Sequence, residues 1–257
     1  MSEDTGVWMY AITERGHLSR PDGEVDLSWL TGVGETQVRT TTCSGLTALV
    51  SNVSLAEYGE AALRENLENL VWLDEVAREH HFVIYAAARL FPLLPVRLAT
   101  VYRGDAAVYA ALTDRRGQLL DTLRRVGGRV EWGVKAYAAP EPGAESNAAP
   151  NPDKAERASA VRKLAGTGRE SRVTVVNAAQ AVHADLAAKA VGTRLRPTQS
   201  AQLSGVRLPM LLNAAYLLDA ADGEPFTAAV AGQANAHPEL RIELTGPWPP
   251  YSFADDD

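Results

Sequence analysis

The hydrophobic pattern changes period several times along the chain, and each change marks an expected element. Val7 to Ile12 is a continuous apolar run that reads as a strand. A polar loop rich in Gly and Asp follows, then two β-biased runs at Gln37 to Thr42 and Leu46 to Val50. Ser54 with Glu57 three residues on forms a capping box, in which each side chain satisfies an orphan amide at a helix start. Beyond it, Leu73, Val76, His80, Val83, Ala87 and Leu90 recur at helical spacing and share one face, with Leu63, Leu67 and Leu70 expected on the corresponding face of the preceding turns. Pro92 lacks an amide donor and stops the helix, after which Leu93 to Val101 returns to strand. Gly104 and Asp105 open another amphipathic helix through Val108, Leu112, Leu119, Leu123 and Val126, ended by Gly127 and Gly128. Arg129 to Tyr137 is then a strand with Val130, Trp132, Val134 and Ala136 on one side.

Composition breaks once, at Ala138 to Pro152, where Pro, Gly, Ala and Asn replace periodic apolar residues. The break predicts a semi-stiff linker at 140–152 between an N-terminal α+β domain, 1–139, and a C-terminal α+β domain, 153–257. The second domain reads as a helix at Asp153 to Leu164 broken by Gly166 and Gly168. A second helix follows with a stripe at Val175, Ala179, Val182, Leu186 and Ala190, then an apolar strand from Arg207 to Leu218. Pro225 sits in the first turn of a last helix with Phe226 and Val230 inside, and Glu239 to Leu244 alternates as a strand. Strands bracketing helices without regular βαβ repetition indicate the α+β class, and the order in the second half fits part of a split βαβ, or ferredoxin-like, sheet.

A chain of 257 residues with 46% hydrophobic and 22% charged residues has the composition of a folded protein with a core. No apolar run approaches the length of a membrane span, and the acidic start at Ser2, Glu3 and Asp4 does not resemble a secretory signal, so a cytoplasmic protein is expected. Formal charge is 25 minus 32, or −7, spread over both halves, which argues against a nucleic-acid binder. Arg194 and Arg196 make only a local basic patch.

Candidate chemistry is sparse. The single cysteine, Cys43, allows no internal disulfide, and no local signature pairs it with one of the five histidines as a thiol dyad. Glu79, His80 and His81 look like metal ligands, but adjacent helical residues point about 100° apart and cannot face one ion together. His80 falls on the apolar stripe and reads as a hydrogen-bonded core histidine; His183 reads the same way, and His17 and His237 fall in loops or ends. Gly32-Val33-Gly34 lacks the rest of a dinucleotide or P-loop fingerprint and reads as a turn, and Gly166-Thr167-Gly168-Arg169 as a helix break. No catalytic, cofactor or metal site is expected.

The unusual segment is Leu244 to Phe253, LTGPWPPYSF, whose prolines forbid a helix or a central strand and fix the directions of Trp248, Tyr251 and Phe253. Most of this strip is expected to pack on its own domain, with anchors left for a partner.

Several stretches together resemble the gas vesicle protein F/L family. They are Val53 to His81, Leu94 to Gly104, Glu131 to Tyr137, Leu203 to Asp219 and Thr245 to Phe253, in the family's order and over most of the chain. The resemblance implies a non-enzymatic accessory or minor component of gas vesicle assembly, located in the cytoplasm and at the gas vesicle. It implies binding to the small hydrophobic shell protein and other accessory proteins, protection of shell subunits from aggregation during nucleation, and a second domain with a modified ferredoxin-like fold. Trp72, on the long helix, and Trp248 and Tyr251, on the strip, are the expected partner contacts. The competing expectation is a small-molecule or metal-sensing regulator, a use to which ferredoxin-like domains are often put.

Overall fold

The computed structural model describes residues 5–20, 23–139, 173–198 and 208–254. The expected linker at 140–152, the helix at 153–164 and the Gly166–Arg169 turn lie outside the described residues. The chain divides into two compact units, Met1–Glu131 together with Trp248–Asp257, and Trp132–Pro247. This grouping differs from the expected division at both ends. The unit boundary falls inside the strand after Gly128 rather than in the proline-rich segment, and the aromatic strip joins the first unit.

In the first unit, β1 (Thr5–Glu14), β2 (Arg39–Cys43) and β3 (Leu46–Ser54) form most of a five-stranded sheet. β1 pairs antiparallel with β3 over its whole length, from Thr5 opposite Ser54 to Glu14 opposite Leu46, and β3 pairs antiparallel with β2. Eight consecutive residues of β1, Gly6 to Thr13, are buried, so both faces of the strand are covered. That explains its continuous apolar run, in contrast to the alternation of a half-exposed strand.

Three helices follow: α1 (Leu55–Tyr58), α2 (Glu60–Asn66) and α3 (Leu70–Ala88). Ser54 caps α1, but its hydroxyl accepts from the Ala56 amide at 3.3 Å rather than from the Glu57 amide that a capping box uses. Val76, His80, Val83 and Ala87 are buried, as the spacing predicts. The stripe does not extend backwards, however: Leu63 is buried, but Leu67 and Leu70 are exposed. The reason is local. Asn69 opens a new helix by accepting from the Val71 and Trp72 amides, and a fresh start resets the rotational phase.

The expected strand at 93–101 is reduced to β4 (Leu94–Pro95) and β5 (Val101–Tyr102), each pairing two residues of β1. The expected helix after Gly104 is split at Arg115 into α4 (Asp105–Asp114) and α5 (Arg116–Val126), which pack on β2 and β4. Val108, Leu112, Leu119, Leu123 and Val126 are all buried.

The second unit is built from β6 (Arg129–Ala138), α6 (173–187), β7 (Gly192–Leu195), β8 (Met210–Asp219), α7 (Gly223–Ala236) and β9 (Leu240–Trp248). Its four strands lie in the order β7-β8-β6-β9. The amides of Ala138 and Ala139 bond to the carbonyls of Pro209 and Glu239, so the end of β6 meets the starts of both neighbours and runs antiparallel to them. Val134 and Ala136 share a core with Val182 and Leu186 of α6, Tyr216 and Leu218 of β8, and Phe226 and Val230 of α7. Phe226 is 1% exposed and contacts the Tyr216 ring at 5.3 Å. Phe226→Ala is therefore expected to destabilise this unit by about 3–5 kcal/mol. Tyr109→Ala, at a position 41% exposed, should stay within about 0.5 kcal/mol of the parent. Urea denaturation of both variants checks the contrast.

Candidate functional site

The polar atoms that β1 carries inside are all met by partners. The Trp8 indole N–H donates to His80 Nδ1 at 2.9 Å, and His80 Nε2 lies 3.0 Å from the Val96 carbonyl. This pattern requires a neutral imidazole with its proton on Nε2. Burial, at 3% exposure, pushes the His80 pKa down to about 4, opposed by the bond to Val96 and helped by neighbouring His81. The Tyr10 ring stacks on His80 at 5.4 Å, and Tyr58 meets Trp8 edge-on at 5.7 Å. The Tyr10 hydroxyl accepts from the Val33 amide at 2.7 Å and lies 2.7 Å from Ser51 Oγ; burial pushes its pKa up to about 12.

These bonds dispose of two motifs. His80 is a core residue with both nitrogens used, while Glu79 Oε2 accepts from the Gly34 amide at 3.2 Å and His81 faces elsewhere. Gly32-Val33-Gly34 closes over Tyr10: a Cβ on Gly32 would sit 2.1 Å from the Tyr10 hydroxyl oxygen, and Gly34 has φ +67°. Amides committed to Tyr10 and Glu79 are not a phosphate cradle. Among the described residues no three His, Cys, Asp or Glu side chains group to hold a metal ion.

The C-terminal strip docks on α3. Pro249 and Pro250 are buried and Phe253 is 3% exposed. The Tyr251 hydroxyl lies 2.9 Å from His81 Nδ1, and burial, then the Glu131 charge, holds its pKa well above the usual phenol range. The His81 ring meets Trp248 edge-on at 5.5 Å and Tyr85 at 5.9 Å. Desolvation lowers the His81 pKa as well. From β6, the buried Glu131 carboxylate accepts from the Ser252 amide at 2.7 Å and its hydroxyl at 2.5 Å.

Of the three expected contact residues, Trp248 and Tyr251 are thus brought together at His81. Trp72 lies apart, half-buried against Tyr58 at 5.9 Å. Trp248 and Tyr85, which both meet the His81 ring, each keep 42% of their surface exposed. Glu131 and His81 were not singled out in the sequence as holders of the strip. The one available signal was Glu131 as the single acidic residue of β6, between Val130 and Trp132.

The remaining candidates are local. Cys43 contacts the Ser44 and Thr113 hydroxyls, which lower its thiol pKa, Thr113 the more strongly. His17 bonds Thr13, His183 bonds Tyr216 and His237 bonds Glu239. An open cleft of about 680 Å³ is floored by Leu55, Leu63, Ala99 and Val101 and rimmed by Glu60 and Arg103. It lacks a converging nucleophile and base.

The family model described as gas vesicle synthesis protein GvpL/GvpF matches residues 6–255. The chain belongs to the GvpL/GvpF family. Gas vesicle protein L of Streptomyces sp. (strain CB03234) is 38% identical over 99% of this chain and 94% of its own length. Gas vesicle protein F of the same strain is 27% identical over 96% and 99%. The crystal structure of gas vesicle protein GvpF from Anabaena sp. PCC7120 superposes with a TM-score of 0.67 at 22% identity, covering 98% of this chain and 97% of that one. The GvpF structure from Microcystis aeruginosa gives 0.64 at 21%, covering 97% and 99%, so the chain shares their fold. Among the described residues of this GvpL/GvpF member, no helix is long and apolar enough to cross a membrane.

The neutral His80 makes stability depend on pH. The unfolded chain takes up the proton near pH 6.5 and the folded one only near about 4. The contribution is fully present above pH 6.5 and is lost as pH falls from 6.5 towards 4, in total about 3 kcal/mol. The stability gap between the parent and His80→Gln, followed by urea denaturation, should narrow by about that amount over this interval. An unchanged gap would show that His80 is not held neutral.

Proposed function

We propose that this protein is an accessory or minor structural component of gas vesicle assembly. It acts by binding the small hydrophobic shell protein and other accessory proteins, and limits aggregation of shell subunits during nucleation. The observation that carries this reading is the family match across residues 6–255. The sparse chemistry supports it: the buried polar groups of the first unit bond to one another, and the open cleft has no arrangement for turnover. Association, not catalysis, is the activity, and the place of work is the cytoplasm and the gas vesicle.

Two domains serve this role. The second is read as ferredoxin-like, with β6 as its opening strand; among the described residues, the element order β-α-β-β-α-β and the sheet order β7-β8-β6-β9 support that reading. The higher identity to a gas vesicle protein L than to the F protein of the same strain supports an L-type member.

Partner contact is assigned to Trp248 and Tyr251 with the neighbouring Tyr85, and to Trp72. Half-exposed aromatics held on a rigid backbone supply contact area at low entropic cost, which favours Trp248 most. The test is co-purification of the small hydrophobic shell subunit with the tagged chain. Trp248→Ala and Trp72→Ala, each with parental circular dichroism, are expected to reduce recovery by about tenfold. Unchanged recovery with both variants overturns the placement, and failure of the parent chain to retain the subunit overturns the function.

A further inference from the structure

Leu67, Leu70 and Val71 are 38%, 78% and 78% exposed, at the junction where α2 ends and α3 begins. The Asn69 cap fixes this exposure, because its side chain holds the Val71 and Trp72 amides and sets the phase that puts Val76 and His80 inside. The surrounding surface is acidic. Residues 55–79 contain seven carboxylates and two arginines, an excess of five negative charges. Both arginines are engaged locally, Arg64 with Glu60 at 2.6 Å and Arg78 with Asp74 at 3.1 Å. Among the described residues, the exposed Glu65, Glu68 and Glu75 have no cationic partner.

We propose that the α2–α3 junction is a docking surface for a basic amphipathic helix of a partner protein. The inference rests on the partner-binding reading above and names the chemistry of the partner. The exposed leucines and valine call for an apolar stripe opposite them, and the unpaired glutamates select lysine or arginine at its margins and repel an acidic segment. The junction is helical and offers no open strand edge, so an incoming chain must satisfy its own backbone hydrogen bonds. A helix does so, and an extended strand does not.

The probe is a fluorescent leucine–lysine peptide that forms an amphipathic helix, titrated against the full chain by anisotropy. A leucine–glutamate peptide of the same pattern and a serine–lysine peptide of the same charge serve as comparisons. Binding is expected for the leucine–lysine peptide alone, weakening as salt screens the exposed charges. The double variant Leu70→Ser/Val71→Ser and the charge reversal Glu65→Lys/Glu68→Lys should each weaken it by about tenfold or more. These side chains are exposed, and circular dichroism verifies that the variants fold.

No binding, equal binding of the serine–lysine peptide, or indifference to both double variants overturns the proposal. Sedimentation gives the other decisive outcome: self-association of the parent chain that both variants abolish assigns the surface to a second copy and overturns it too. Recovery of the shell subunit without peptide binding sinks this surface and leaves the accessory role standing. Peptide binding without shell recovery does the reverse.

Discussion

A strand buried on both faces cannot leave a polar atom unpaired, and the first unit is organised around that constraint. β1 carries Trp8, Tyr10 and Thr13 into the interior. Each polar tip selects a different segment of chain: Trp8 takes His80 of α3, Tyr10 takes the Val33 turn and Ser51 of β3, and Thr13 donates to the Pro92 carbonyl at 2.6 Å. An unmet donor would cost about 1–3 kcal/mol, so these bonds fix where the surrounding elements must lie more firmly than the apolar contacts alone. The requirement also decides the state of His80, since only a neutral imidazole accepts from Trp8 while donating to Val96.

Periodicity made much of this legible. Val76, His80, Val83 and Ala87 follow one helix face, and a histidine on that face reads as a bonded core residue from spacing alone. The same rule failed at Leu67 and Leu70, because a helical phase has no memory across a cap. The asparagine that resets it was visible in the sequence, but the hydrophobic repeat suggested continuity. The helix after Gly104 shows a milder case, in which a break at Arg115 preserves the buried face on both sides.

The C-terminal strip marks a different limit. Its prolines declare an extended, stiff segment, and nothing local declares where it goes. Its bonds reach back 170 positions to His81 and 121 to Glu131, and such pairings leave no periodic trace. The grouping of the chain into units turns on the same kind of long-range pairing. A proline-rich stretch is a good mark of irregular chain but a poor mark of a unit boundary when the strand before it, β6, is needed by the sheet that follows. The ends of that sheet's order, β7 and β9, can be assembled only if β6 is shared out to the second unit.

In the first unit the polar groups of β1 are taken up by the fold itself, which turns attention to the surface. For a handler of aggregation-prone subunits, a purely apolar surface would be self-defeating, because such patches associate with their own copies. A few apolar side chains in an acidic surround avoid that outcome: like charges oppose self-association, while a complementary basic partner is drawn in quickly and held by a small contact area. Small area also limits residence time, since affinity differences among related complexes lie mostly in dissociation. Under the accessory role proposed above, release is as necessary as capture. The α2–α3 junction, with exposed Leu70 and Val71 among unpaired glutamates, combines these two properties more directly than the rigid aromatics at Trp248, which suit a longer-lived contact.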